Sequence, residues 1–310
     1  MNTVLSKAEQ IAEDFLQENA KDSYEILGKG IVNEVCVVET DNNKVVIRMN
    51  SKDTYSTFLK EKWCIEQVLA EGIPSPEVLS VGISGETAYM IQTFVDGENG
   101  LDTEKDRVEI WKQVGVYLQM IHAIPVKGFG ENLDDAGQGV FYSPPHPGSD
   151  GSWLGYVNYN INSLTEHDQL IELGVINKTE SKRVRELFEN INNEKFKFGL
   201  NHGDISLKNT IVSEEGQVSL LDWGSAQVSV VPHEDIMEIW KCQMLSGEPN
   251  AEEFNALLEG YGINEKELVN MKPLMLLRAI DNVRWAIDQS SDLIETYAKF
   301  ARRVVEMTLD

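Results

Sequence analysis

Three polar residues in the second half of the chain have the types and the spacing that phosphoryl transfer requires. Asp204 follows a His-Gly pair, Asn209 lies five residues after it, and Asp222 lies eighteen residues after it. In this reaction one carboxylate accepts or orients the proton of the attacking hydroxyl, while an amide oxygen and a second carboxylate hold Mg²⁺ at the phosphates of ATP. Asp and Asn are also common turn residues, so the prediction depends on the complete set.

The residues between Asn209 and Asp222 have the pattern of a β-hairpin. Apolar residues lie on both sides of a polar turn around Glu215 and Gly216, and they alternate with polar ones on the second side. Because a hairpin reverses the chain, it would bring Asn209 and Asp222 to the same end of a sheet. The two side chains could then share one metal ion.

This segment resembles the catalytic region of the aminoglycoside phosphotransferase and choline kinase superfamily, which shares the protein-kinase fold. Residues 202–209, HGDISLKN, match H-G-D-x-x-x-x-N, where protein kinases have H-R-D-x-x-x-x-N. The resemblance implies that Asp204 is the catalytic base and that Asn209 and Asp222 bind the metal. It also implies that His202 supports the catalytic loop without taking part in the chemistry.

The N-terminal third predicts the part of this fold that covers a nucleotide. Residues 24–49 are expected to form three short strands, with breaks at 28–30 and 41–43. The resemblance implies that the first break covers the phosphates of ATP and that Gly30 and Asn33 belong to this turn. Asn33 replaces the third glycine of G-x-G-x-x-G, as it often does in the superfamily. An ordinary hairpin is the alternative.

Arg48 occupies the strand position at which protein kinases have the lysine of V-A-I-K. Glu61 follows thirteen residues later, in a stretch with apolar residues at helical spacing that ends at Gly72. The resemblance implies that Glu61 pairs with Arg48 and orients it toward the phosphates, which a guanidinium can bind through two N–H groups. The alternative is a surface ion pair, which contributes little. The segment IPSPEVLSVG resembles a family signature and favours Glu61 over Glu66 as the partner.

The stretch ETAYMIQTFVDGENG predicts a strand that runs into a glycine-containing turn. The resemblance implies that this is the hinge between two lobes. The backbone of Thr93, Phe94 and Val95 would then lie at the adenine edge of the nucleotide, and their side-chain types would matter little.

Two further residues are implied to support the fold of the catalytic region. After the metal motif, the chain reads Pro-His-Glu-Asp and then has helical periodicity. The resemblance implies that Asp235 supports the catalytic loop, with Glu234 as the competing match. His122, in a segment that also resembles the family, is expected to be structural because a single His at a helix end usually is.

Most of the remaining chain predicts helices. Residues 104–124 have one apolar face, and the C-terminal part predicts two long amphipathic helices. Residues 126–152 are rich in Gly and Pro, and they are longer than an ordinary connection. They are expected to form a flexible loop near the acceptor side of the cleft.

Composition limits the class of protein and of ligand. The 310 residues include 51 acidic and 27 basic ones, which gives a net charge of −24. This charge disfavours nucleic acid and anionic membranes and favours a cationic small molecule, although an acidic surface also serves solubility. Three cysteines without metal-ligand spacing predict a reducing cytoplasm. The N-terminus lacks the pattern of a signal peptide, and no apolar run approaches the roughly 20 residues that span a bilayer.

The expected fold is α+β, two-lobed and protein-kinase-like. Residues 1–96 would form an N-terminal lobe with a small antiparallel sheet, and residues 97–310 a mainly helical C-terminal lobe. The cleft between the lobes would hold ATP, or GTP as the alternative donor, together with Mg²⁺. Monomer and dimer are both compatible with the sequence.

The expected activity is transfer of the γ-phosphate to a hydroxyl of a small, cationic molecule such as an aminoglycoside-like antibiotic. One alternative is a metabolite kinase of the same fold that acts on choline, a sugar, homoserine or a methylthio-sugar. A protein kinase is a further alternative, but no A-P-E-like segment follows Asp222. The alternative from another class is a nucleotide-binding pseudokinase that serves as an interaction module. The sequence does not establish a role in antibiotic resistance.

Overall fold

The structure, a computed structural model, describes residues 3–26 and 33–310 with all of their side chains except that of Glu265. Packing divides the chain into two compact units. The first consists of Met1–Ile110 and Asp204–Ala226, and the second of Trp111–Gly203 and Gln227–Asp310.

The described residues form eleven α-helices and thirteen β-strands. The helices are α1 (Thr3–Leu16), α2 (Tyr55–Ala70), α3 (Arg107–Ile121), α4 (Trp153–Ser163), α5 (Gln169–Glu172), α6 (Lys178–Asn193), α7 (His233–Ser246), α8 (Ala251–Tyr261), α9 (Glu265–Asn270), α10 (Lys272–Gln289) and α11 (Ile294–Leu309). The strands are β1 (Asp22–Glu25), β2 (Glu34–Glu39), β3 (Lys44–Ser51), β4 (Val78–Ser84), β5 (Thr87–Thr93), β6 (Glu98–Asn99), β7 (Lys127–Phe129), β8 (Asn132–Asp135), β9 (Val140–Tyr142), β10 (Phe198–Asn201), β11 (Thr210–Val212), β12 (Val218–Leu220) and β13 (Gln227–Val230).

The first unit contains a five-stranded antiparallel sheet with the strand order β1-β2-β3-β5-β4. Side chains alternate between the two faces of a strand. In β3 this alternation places Val45, Ile47 and Met49 in a buried cluster with residues of α1. Arg48 therefore points to the opposite face, where its guanidinium lies 5.8 Å from the ring centre of Phe58 in α2.

Residues 204–226 supply two strands of a second, three-stranded sheet in the first unit, which has the order β12-β11-β6. β11 and β12 form the hairpin that the sequence predicts, and Gly216 in its turn has a φ of 85°. The Leu221 N–H donates to the carbonyl oxygen of Asn209 at 2.9 Å. The hairpin therefore brings the residue before Asp222 next to Asn209.

The packing units do not follow the predicted lobe boundary at residue 96. The first unit extends to Ile110 and includes residues 204–226. Backbone pairing explains this, because β6 pairs with β11 and the Leu220 N–H donates to the Pro74 carbonyl oxygen at 2.9 Å. The three residues predicted to carry the chemistry thus pack with the sheet, and residue 96 as a lobe boundary stays a prediction.

The second unit is mainly helical. Its core contains side chains of α4, α6, α7, α10 and α11, and the last two are the predicted C-terminal helices. The antiparallel pair of β10 and β13 leads directly into residue 202. Among the described residues, no helix is both long enough and apolar enough to span a bilayer.

The expectation of a flexible loop at residues 126–152 was wrong. This stretch contains a three-stranded sheet in the order β7-β9-β8, in which β7 and β9 are parallel. Gly128 permits the pairing, because a Cβ built there would lie 1.9 Å from the carbonyl oxygen of Phe141. Phe141 is buried. The glycine therefore marks a close approach of two backbones rather than flexibility.

Candidate active site

Arg48 and Glu61 form a buried ion pair in the first unit. β3 and α2 present the two side chains to each other, so that Arg48 Nη1 contacts Glu61 Oε2. Burial disfavours the charged form of Arg48, but Glu61 and Asp222 outweigh it and raise the pKa of the guanidinium. Burial also raises the pKa of Glu61, an effect that Arg48 opposes. The structure thus brings together the two residues that the sequence paired.

Asp222 lies beside the same guanidinium but stays open to solvent. Its Oδ1 accepts a hydrogen bond from Arg48 Nη2 at 2.9 Å, and 46 % of its side chain is exposed. No described residue provides a partner for its Oδ2. Its backbone is left-handed, with φ 59° and ψ 75°, which is unfavourable for a residue other than Gly. Functional sites often contain residues in such a conformation.

Asn209 and Asp204 contact each other directly. Asn209 Nδ2 donates to the main-chain oxygen and to Oδ2 of Asp204, both at 2.8 Å. Because its NH₂ group is used in this way, the amide oxygen of Asn209 is the atom left for another ligand, and no described residue donates to it. Lys208 Nζ lies 3.1 Å from Asp204 Oδ2, and 38 % of the Asp204 side chain is exposed. Sequence reasoning did not single out this lysine.

Lys60 and Gly224 are two further residues near Asp222 that sequence reasoning missed. Lys60 is buried in α2 and donates to the carbonyl oxygens of Gly224 and Ala226 at 2.8 and 2.9 Å. A Cβ at Gly224 would lie 3.2 Å from Glu61 Oε1 and 3.4 Å from Asp222 Oδ1. The sequence features that could have drawn attention to them are the Lys-Glu pair in α2 and the Trp-Gly pair after Asp222. Neither pair indicates by itself which residue it will contact.

In the second unit, both carboxylate oxygens of Asp235 have partners within the protein. It is 1 % exposed, and it accepts hydrogen bonds from the main-chain N–H groups of His202 and Gly203 at 2.9 and 2.8 Å. His122 Nε2 lies 3.1 Å from its Oδ2. Burial alone would raise the pKa of Asp235, but the histidines and the main-chain donor outweigh burial and lower it. The structure therefore places Asp235 against the main chain of His202 and Gly203.

Glu234, the competing match for this position, contacts other groups. Its Oε2 accepts a hydrogen bond from Ser229 Oγ at 3.3 Å, and its Oε1 lies 3.2 Å from Arg278 Nε. His122 is buried, and its Nδ1 lies 2.9 Å from the hydroxyl of Tyr261. These contacts are consistent with the structural part expected of His122.

The predicted hinge follows β5. The Thr93 N–H donates to the carbonyl oxygen of Glu77 at 2.9 Å, which ends the pairing of this strand. Within the described part of the chain, the peptide groups of Phe94 and Val95 have no hydrogen-bond partner. Lys44 Nζ lies 4.1 Å from the centre of the Phe94 ring. Two consecutive peptide groups are therefore available to a ligand.

Asn33, predicted for the turn over the phosphates, lies immediately before β2. Its Oδ1 accepts a hydrogen bond from Asn50 Nδ2 at 2.9 Å. Gly30, the other predicted residue of this turn, lies outside the described residues. Its place in a nucleotide site stays a prediction.

Residues 23–274 match the model of the phosphotransferase enzyme family, APH. The chain belongs to this family. Membership confirms the resemblance on which the sequence prediction was based and the predicted enzyme class, a small-molecule kinase. No curated protein sequence matches the chain significantly.

Solved structures similar to this phosphotransferase include those of three proteins. An aminoglycoside phosphotransferase, APH(4)-Ia, has a TM-score of 0.70 at 17 % identity, over 99 % of this chain and 99 % of that one. A putative fructosamine-3-kinase from Haemophilus somnus 129PT has a TM-score of 0.62 at 13 % identity, over 99 % and 98 % of the two chains. Spectinomycin phosphotransferase, APH(9)-Ia, has a TM-score of 0.56 at 15 % identity, over 100 % and 98 %. These matches confirm the predicted α+β, protein-kinase-like fold.

Proposed function

We propose that this phosphotransferase moves the γ-phosphate of ATP, with GTP as an alternative donor, to a hydroxyl of a small molecule. Asp204 would orient or deprotonate that hydroxyl. The observation that carries the proposal is the half-exposed Asp204 carboxylate, which Asn209 fixes at 2.8 Å. A general base must be both accessible and held in place, and Asp204 meets both conditions.

Asn209 and Asp222 have the donor atoms that Mg²⁺ requires. Each offers a hard oxygen to which no described residue donates, namely the amide oxygen of Asn209 and Oδ2 of Asp222. The described residues include no group of three or more His, Cys, Asp or Glu side chains that could hold a metal alone. This fits Mg²⁺, which commonly takes one or two protein ligands and completes its shell with phosphate oxygens and water. When bound, Mg²⁺ would neutralise negative charge on the phosphates.

Arg48 would contact the phosphates from the sheet side of the site. Glu61 and Asp222 hold its two terminal nitrogens, so that the guanidinium has little rotational freedom to lose when a ligand binds. The planar guanidinium group, with its delocalised positive charge, can bind phosphate oxygens through its N–H groups. Asp235 would act indirectly, by fixing the main chain of His202 before the catalytic loop.

Binding of an adenine nucleotide is supported by the peptide groups of Phe94 and Val95, which could pair with the adenine edge. It is also supported by the ligands of similar proteins. APH(4)-Ia was solved with AMP-PNP and hygromycin B, and APH(9)-Ia with ADP and spectinomycin.

An aminoglycoside-like, cationic acceptor is the first candidate. The net charge of −24 attracts cations to the protein surface. APH(4)-Ia and APH(9)-Ia were solved in complex with hygromycin B and with spectinomycin, respectively.

A less cationic, hydroxyl-rich metabolite is the second candidate. In the helical unit, Arg278 lies 3.2 Å from Glu234 and 3.7 Å from Asp281. Two carboxylates that could bind an ammonium group there, Glu234 and Asp281, are thus already paired with a cation. This favours a sugar-like acceptor, and a fructosamine kinase is among the proteins of similar structure.

The cysteines support a reducing, cytoplasmic location. Cys36 and Cys64 are buried free thiols, and Cys242 is an exposed one. Burial raises the pKa of Cys36 to about 11 and that of Cys64 to about 12. Both therefore stay protonated and unreactive at neutral pH.

The test is ADP release from MgATP in the presence of single acceptors: aminoglycosides, hygromycin B, spectinomycin, choline, homoserine and simple sugars. Acceptor-dependent release is expected with one class, and Asp204→Asn should reduce kcat on the order of 10³-fold. Thermal unfolding of Asp204→Asn would show that its fold is intact. MgATP binding without turnover on any acceptor would favour the pseudokinase alternative, and near-full activity of Asp204→Asn would contradict the assigned base.

A further inference from the structure

Lys60 is a buried cation that the proposed chemistry does not use. It is 7 % exposed, and its Nζ donates to the carbonyl oxygens of Gly224 at 2.8 Å and Ala226 at 2.9 Å. An ammonium group removed from water loses much hydration free energy, so its hydrogen bonds must be kept in the folded chain. A buried lysine that donates to two main-chain oxygens therefore fixes the path of that main chain.

The Gly224 carbonyl belongs to the short turn that follows Asp222, and the Ala226 carbonyl belongs to the residue that caps this turn. Residues Trp223–Ser225 form one turn of 3₁₀ helix, and Asp222 is the left-handed residue immediately before it. Carbonyl groups at the end of such a turn lack partners within it, and a cation there is electrostatically favourable. Lys60 thus holds the turn that determines where the Asp222 carboxylate points.

The same helix also contacts the side chain of Asp222. Consecutive residues of an α-helix point about 100° apart, so Lys60 and Glu61 can contact different targets. Glu61 contacts Arg48, and Arg48 Nη2 donates to Asp222 Oδ1 at 2.9 Å. α2 therefore constrains Asp222 twice, at the side chain through Glu61 and at the main chain through Lys60.

We infer that Lys60 is a positioning residue for Mg²⁺ binding, acting through the main chain that follows Asp222. The inference rests on the proposed function, in which Asp222 is a metal ligand. Trp223 gives the turn a second attachment, because its Nε1 donates to Ser75 Oγ at 3.3 Å. Loss of Lys60 should therefore shift the Asp222 carboxylate without releasing the whole segment.

The test is calorimetric titration of the full chain with ATP, once with excess Mg²⁺ and once with EDTA. The quantity compared is the ratio of the two affinities, which a purely structural residue would not change. Lys60→Met removes the two hydrogen bonds, and it should reduce this ratio about tenfold while the affinity measured in EDTA changes little. Lys62→Met is the matched control, because Lys62 lies on the same helix and its only charged partner among the described residues is Glu66, at 3.7 Å on the exposed surface.

The outcomes distinguish a failure of the proposed function from a failure of the inference about Lys60. If the wild-type chain shows no Mg²⁺-dependent gain in ATP affinity, the proposed function fails and the inference fails with it. If the wild-type chain and Lys60→Met show the same gain, only the inference is overturned. Should Lys60→Met fail to fold, Lys60→Gln keeps a polar side chain that is uncharged and one atom shorter, and an unchanged ratio in that variant would equally overturn the inference.

Discussion

Asp222 in the first unit and Asp235 in the second are carboxylates with opposite surroundings. Asp222 is half-exposed, and its charged partner among the described residues is Arg48. Asp235 is 1 % exposed and accepts from two main-chain N–H groups, with His122 beside it. One carboxylate keeps an oxygen for a ligand, whereas the other has its acceptor capacity used by the protein itself.

This difference separates a residue suited to chemistry from one that holds structure. A metal ligand must keep an oxygen for an incoming ion, so protein donors that occupy all of its oxygens would oppose binding. A carboxylate that fixes a loop must instead be saturated, because a buried charge without partners is costly. Both residues lie in motifs that resemble those of kinases, so burial and contacts are needed to tell the two functions apart.

The largest expected effect is a difference in stability between two matched variants. Asp235→Asn replaces an acceptor of two N–H bonds by an amide that can accept through one oxygen only, and it should cost about 3 kcal/mol of unfolding free energy. Asp222→Asn should cost less than about 1 kcal/mol, because the position is half-exposed and Asn tolerates left-handed backbone. Urea denaturation of both variants measures this difference, and equal losses would remove the contrast.

The second expected effect is a dependence of the Asp235 contribution on pH. The pKa of Asp235 lies below its ordinary value of 3.8 in the folded chain. Asp235 therefore takes up its proton at a higher pH in the unfolded chain than in the folded chain. Its charged form contributes fully to the unfolding free energy above pH 3.8, and this contribution is lost as the pH falls through the folded-state pKa. The stability gap between the wild-type chain and Asp235→Asn should be largest at neutral pH and should narrow in acid. A gap that is constant with pH would contradict the charged state of Asp235.

The smallest expected effect concerns the partner of Asp222. Arg48→Lys keeps the charge but offers a single nitrogen in place of the two that contact Glu61 and Asp222. ATP affinity should fall about tenfold, as for the loss of one charge-assisted hydrogen bond. Lys62→Arg, in α2, is the control for a change of cation outside these contacts, because Lys62 lies 3.7 Å from Glu66 on the exposed surface. Unchanged ATP affinity in Arg48→Lys would mean that the second nitrogen is dispensable.

The contacts that could be predicted from the sequence are those that local patterns determine. The family resemblance implies the pairing of Arg48 with Glu61, and the alternation of side chains in β3 agrees with it. The hairpin between Asn209 and Asp222 follows from its turn and from the alternation of its apolar residues. In each case a short stretch fixes the direction of the side chain.

The contacts that could not be predicted join distant parts of the chain. Lys60 and Gly224 are 164 residues apart, and nothing in a Lys-Glu pair indicates which neighbour will be buried on which side. Asp235 and Glu234 are adjacent carboxylates, and only the folded chain shows which of them contacts the main chain of His202 and Gly203. The sheet at residues 126–152 was missed because a glycine that permits close backbone contact has the same sequence signal as a flexible loop.

The most direct test is calorimetric ATP binding, with and without Mg²⁺, by the wild-type chain, Asp222→Asn and Asp235→Asn at a temperature at which all three are folded. We expect the wild-type chain and Asp235→Asn to bind ATP more tightly when Mg²⁺ is present, and we expect Asp222→Asn to lose this gain. An undiminished gain in Asp222→Asn would show that the exposed carboxylate does not bind the metal. It would contradict the assignment on which the proposed phosphoryl transfer depends.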